Sequence, residues 1–107
     1  MKVFLDDLRP TPEGWRRTYT VEETIDLLQT QTVTHLSLDN DLGEGLKEGY
    51  MVLDKLEEIV YFDFTFPIPE MMVHSSNASR IEYMERAIKS INKIRQQQMD
   101  IKNESQK

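Results

Sequence analysis

The chain has 107 residues, of which 38% are hydrophobic and 30% charged, with a net charge of −6 and no cysteine. That length supports one core; the acidity excludes a coat for non-specific nucleic acid or for a membrane surface; and the absence of cysteine excludes disulfides, thiolate zinc sites and thiol nucleophiles. No apolar run approaches membrane-spanning length, and Asp6 and Asp7 interrupt the opening apolar residues too early for a signal-peptide core, so a cytoplasmic setting is expected.

Residues 2–5 form a short apolar run without polar alternation, as expected of a strand covered on both faces. Pro10, Pro12 and Gly14 leave no room for a helix after it, so the next element is a strand over 15–19. Thr20 and Glu23 have the spacing of a capping box, and Ile25, Leu27 and Leu28 give the following helix an apolar face that ends near Gln31. Residues 33–38 read as a third strand that opens into a loop at Asp39. Past Gly43, Gly45 and Gly49, the apolar residues Tyr50, Val52, Leu53, Leu56, Ile59 and Val60 are spaced for a second helix. Pro67 and Pro69 precede a fourth strand over 71–74. Ser79 and Glu82 suggest a further capping box, opening a long helix marked by Ile81, Met84, Ile88, Ile91 and Ile94. Residues 1–95 are thus expected to be the domain and 96–107 a polar C-terminal tail, either disordered or helical with a partner.

This order implies a small α/β domain: a mostly parallel four-stranded sheet with three helices on its faces. Right-handed crossovers set strands one, three and four side by side. Asp6 and Asp7, Asp39 and Asp41, and the run from His74 through Ser75, Ser76 and Asn77 then emerge along one edge, where open α/β sheets bind ligands. Converging carboxylates repel one another unless a cation, a proton or a basic group offsets them, and a hard oxygen-binding metal such as Mg²⁺ or Mn²⁺ is the simplest solution. Asp6, Asp7 and Asp39 are the candidate ligands, and Asp41 is a further ligand or a base. His74 is a candidate proton carrier, and Arg9, Ser75, Ser76 and Asn77 are candidate phosphate binders. Beside this stands a structural reading in which Asp7 or Asp41 caps a turn, Asp6 pairs with Arg9, and Asn77 or Ser79 is a helix cap. His35, mid-strand among apolar neighbours, is expected to be structural.

The stretch from Lys2 to Pro10, then Trp15, the stretch from Thr34 to Gly43, Gly49 with Tyr50, and His74, Ser75, Ser76 and Asn77 with Met84 together resemble the cyclic-phosphate processing receiver-like family. The resemblance covers about residues 2–90 and implies a receiver-like (flavodoxin-like) fold with a reduced first helix; the polar residues after the closing helix add the expectation of no fifth strand. It implies metal-dependent processing of a cyclic phosphate, at a nucleic-acid end or in a cyclic nucleotide, by a phosphodiesterase-type hydrolysis. Two positions depart from the family pattern: Asn40 stands where histidine is common, and Ala78 where proline is common. Two alternatives stay open, a non-catalytic binder of a small phosphate ligand and an atypical receiver accepting a phosphoryl group on Asp39. For the latter, the lysine of a fifth strand has no scaffold. The oligomeric state is not legible in the sequence.

Overall fold

The computed structural model describes residues 1–43, 45 and 47–105. In chain order the elements are β1 (Lys2–Leu5), β2 (Trp15–Thr18), α1 (Val21–Gln29), β3 (His35–Leu38), α2 (Tyr50–Phe62), β4 (Glu70–Val73) and α3 (Ala78–Ser105). The strands form one parallel sheet in the order β2-β1-β3-β4. This is the receiver-like α/β architecture expected, with β1, β3 and β4 adjacent.

The register rows run Lys2, Trp15, His35, Glu70 and then Val3, Arg16, Leu36, Met71, alternating along the strands. Side chains of one row share a face, so Val3, Leu5, Leu36 and Leu38 point together and are fully buried, with the helices packed on them. Burying each contributes about 1.5–3 kcal/mol. Phe4, Ser37 and His74 lie on the other face. There Phe4 is stacked on His74 at 4.4 Å and meets Trp15 edge-on at 6.4 Å.

The three helices expected to flank the sheet lie on one side of it: α1 packs on α2 and α2 on α3 over the same core. The cause is handedness. The steps from β2 to β3 and from β3 to β4 run the same way across the sheet, so right-handed crossovers put their helices on one face. The step from β1 to β2 runs the opposite way and has no helix, only residues 6–14.

Local signals account for most helix ends. Thr20 Oγ1 accepts the N–H of Glu23 at 3.2 Å and caps α1. The cap of α3 falls on Asn77 rather than Ser79: Asn77 Oδ1 accepts the N–H of Arg80 at 3.2 Å and the hydroxyl of Ser79 at 2.9 Å. Helix α3 does not stop near 95 but continues to Ser105, through most of the expected tail; Gln106 and Lys107 lie outside the described residues. Two polar side chains anchor the extension. Arg95 donates to the carbonyls of Asp63 and Phe66 in the segment after α2 at 3.3 and 2.7 Å, and the buried Gln98 donates to that of Val60 at 2.8 Å, a carbonyl in the last turn of α2 that its own helix leaves open.

Candidate functional site

The sheet's hydrogen-bond ladder continues one residue beyond three strands. Asp6 donates its N–H to Thr18 at 3.2 Å, Asp39 to Leu5 at 3.0 Å and His74 to Leu38 at 2.9 Å. Asp6, Asp39 and His74 are therefore one further row at the carboxyl edge, fixed by backbone rather than by loop conformation.

Asp6 is almost wholly buried. Its Oδ1 accepts the N–H groups of Leu8 and Arg9 at 2.8 and 2.9 Å, and its Oδ2 lies 3.0 Å from His74 Nε2. Burial disfavours its charge, but the two N–H groups and His74 together outweigh that and hold its pKa below the ordinary value. Asp39 goes the other way: burial and the neighbouring charge of Asp6 raise its pKa, against smaller opposing effects of the N–H groups of Asn40 and Asp41 and of Arg9. One carboxylate is fixed as an anion while its neighbour is pushed toward a proton.

Asp7 completes the group, with one oxygen from each of Asp6, Asp7 and Asp39 lying within 4.8 Å of one another. These three line an open cleft of about 330 Å³ together with Leu8, Arg9, Asp41, Gly43 and Ser76. Three converging hard oxygen donors suit Mg²⁺ or Mn²⁺, which take one or two carboxylates beside water and phosphate oxygens. Asp6 retains a lone pair on Oδ2 for such an ion. Asp41 is exposed on the cleft wall, outside the close trio.

Arg9 is tied to both sides of the site. Its Nε lies 4.0 Å from Asp6 Oδ2 and its guanidinium donates to the His74 carbonyl, while nearly half of the side chain stays exposed at the cleft. His74 lies behind Asp6 rather than among the cleft-lining residues. Since the ionised Asp6 can only accept, Nε2 carries the proton, and Nδ1 accepts from the Ser37 hydroxyl at 2.6 Å. Burial pushes its pKa down; Asp6 pulls it partly back, and Arg9 lowers it further, so the ring is neutral. Ser75 is buried and accepts the N–H of Asn77 at 3.2 Å, and Asn77 caps α3. Of the expected phosphate binders, Arg9 and Ser76 face the cleft, whereas Ser75 and the Asn77 carbonyl oxygen are engaged in the turn. His35 pairs with Glu70 at 3.2 Å, away from the site.

Three contributors were given no role at the site from the sequence, although Asn40 and Gly49 are among the positions compared with the family pattern. Ser37 is one; strand alternation alone sets it on the same face as Phe4 and His74. Asn40 is the second: fully buried, it accepts the N–H of Tyr50 through Oδ1 at 3.1 Å and that of Gly49 through its carbonyl at 2.8 Å, which ties the end of β3 to the start of α2. Its Nδ2 has no partner among the described residues. Gly49 is the third, because a Cβ there would sit 1.8 Å from the Asp39 carbonyl oxygen.

A profile of the cyclic-phosphate processing receiver domain family matches residues 1–90. The chain belongs to this family. No curated protein and no solved structure matches it. The cyclic-phosphate processing receiver domain match takes in the acidic row, Arg9 and His74 and ends inside α3, ahead of Arg95 and Gln98. Among the described residues of this receiver domain, no helix is long and apolar enough to cross a membrane.

Proposed function

We propose that the cleft hydrolyses a cyclic phosphodiester with the help of Mg²⁺ or Mn²⁺ held by Asp6, Asp7 and Asp39. The family supports cyclic-phosphate processing; the reading of the chemistry rests on the oxygens of these three carboxylates converging within 4.8 Å beside an exposed arginine. Bound there, the ion supplies charge for the phosphate oxygens and makes water a better nucleophile.

The chain's own groups do the rest. Asp6, kept ionised by two backbone N–H groups, anchors the site. Arg9 takes a non-bridging phosphate oxygen, as a guanidinium does well, and the Ser76 hydroxyl faces the same space. Asp41, exposed on the cleft wall, is placed to accept the proton of the attacking water, and Asp39, its pKa already raised, is the neighbouring acceptor. Water adds to phosphorus, one ring P–O bond breaks, and the departing oxygen takes up a proton to give a phosphomonoester with a free hydroxyl. His74, with both ring nitrogens engaged, holds Asp6 in place instead of serving as the general acid that its strand-end position predicts. The substrate is a nucleic-acid end or a cyclic nucleotide; the acidic surface favours a short ligand over a long duplex.

The test is incubation of the purified chain with a panel of 2′,3′- and 3′,5′-cyclic phosphates, with and without Mg²⁺ or Mn²⁺, and mass spectrometry of the products. Ring opening with gain of one water, lost in Asp7→Asn, is expected. Stoichiometric retention of intact ligand would make the cleft a binding site. A stable phosphoryl adduct from acetyl phosphate, abolished by Asp39→Asn, would make it a receiver.

A further inference from the structure

Among the described residues, no strand pairs with the outer edge of β4. Its inner edge is engaged with β3: Glu70 and His74 donate their N–H groups to Thr34 and Leu38 at 2.9 Å each. Main-chain groups of successive strand residues point alternately to the two sides, so the N–H and C=O of Met71 and of Val73 point away from the sheet. Beside them runs an open groove of about 340 Å³, lined by Met71, Met72, Val73 and, from α3, Glu85, Ile88 and Lys89. Met72 is 43% exposed. An unpaired edge of this kind is a template for another strand.

Two features indicate which strand fits. The outward groups are one donor and one acceptor on each of two residues a single position apart, and an antiparallel copy of the same segment offers these groups back in matching order. About a two-fold axis at Met72, Met71 of each copy exchanges both bonds with Val73 of the other, and no outward group within β4 is left over. Centring the axis on Met71 would instead oppose Val73 to Pro69, which has no N–H to give. The second feature is charge. The same axis runs the two α3 helices antiparallel, and since 71–73 and 85–89 line one groove, it sets Lys89 of each copy opposite Glu85 of the other, with Ile88 between them.

We infer that β4 is a homodimer seam, where two copies of this chain join edge to edge into one continuous sheet. Met72 meets its counterpart on the axis, and the two acidic clefts end at opposite rims of the joined sheet, both open. The symmetry is closed, because the seam uses the same patch on each copy and leaves no free β4 edge.

Sedimentation velocity on the full chain, from about 1 μM to roughly 1 mM, tests this. A concentration-dependent monomer–dimer equilibrium is expected. Met72→Lys, which puts two like charges on the axis, should weaken it at least about tenfold. Lys89→Glu should weaken it too, and the double exchange Glu85→Lys with Lys89→Glu should restore it; all three positions are exposed, and thermal melts of dilute samples verify the fold. A chain that stays monomeric to the top of the range overturns the seam, as does a dimer that none of these substitutions shifts.

Discussion

Asp39 carries the conflict of the site in its own titration, because burial and Asp6 both oppose its charge. Asp39→Asn removes that opposition, so without metal the variant should be more stable than the wild type at neutral pH. With Mg²⁺ at about a hundred times its dissociation constant, the wild type should gain about 2.7 kcal/mol. The variant should lose most of that gain, and thermal melts with and without the ion check both halves. His74 divides two roles. As a group that holds Asp6, its loss in His74→Ala should weaken metal affinity by about 10–100-fold, whereas loss of a general acid would lower turnover by about 10²–10⁴ and leave metal binding intact. Calorimetric metal titration beside rate measurements separates the two, and the ring's two hydrogen bonds favour the first. The same ring predicts a pH dependence. Burial lowers its pKa in the fold, so below about pH 6.5 the unfolded chain takes up a proton that the folded chain does not, and stability falls from there down to the lowered value. Urea titrations across this window should show a slope in the wild type that is reduced in His74→Gln.

At the level of elements, the junction between β3 and α2 positions the acidic row. Helix α2 starts against the end of β3 because Gly49 has no side chain and Asn40 supplies an acceptor for Tyr50. Gly49→Ala brings a methyl group into the Asp39 carbonyl and should cost about 1–3 kcal/mol or more. Unlike Val60→Ala at the far end of the same helix, it should also depress the metal response, since the displaced backbone is that of Asp39; parallel melts of both variants give the comparison. Much of the architecture was legible in the chain. An unbroken apolar run ending in aspartates marked β1, Leu36 and Leu38 alternating with His35 and Ser37 ahead of Asp39 marked β3, and crossover handedness set β1, β3 and β4 side by side. The placement of α1 and α2 on one face follows from the same handedness, but only once each step across the sheet is given a direction. The carboxylates could be found because a strand end is a sequence feature. The partnership of His74 with Ser37 could not, since it depends on the register between β3 and β4. Likewise Gly49 looks like any loop glycine until the carbonyl it accommodates is known. Arg95 and Gln98 read as tail because their acceptors, the carbonyls of Val60, Asp63 and Phe66, belong to the backbone and leave no trace in side-chain pattern.

Over the whole molecule, the sheet is thick on one side and thin on the other. The helical side holds the core, while the thin side rests on Phe4, Trp15 and His74, and residues 6–14 cross from β1 to β2. That single crossing starts with Asp6 and Asp7 and ends on Trp15, the only tryptophan in the chain. The fold has therefore wired a fluorophore to its acidic site. An ion that tightens Asp6 and Asp7 tightens the segment whose other end sets the surroundings of the indole, between Phe4, His35 and the Lys2 ammonium. Emission excited at the indole band should shift on addition of Mg²⁺ or Mn²⁺ and saturate at the same concentration as the thermal response, and Asp7→Asn should silence both. The receiver domain would then report its own occupancy without a label, in real time and in competition with any cyclic phosphate added to the cuvette.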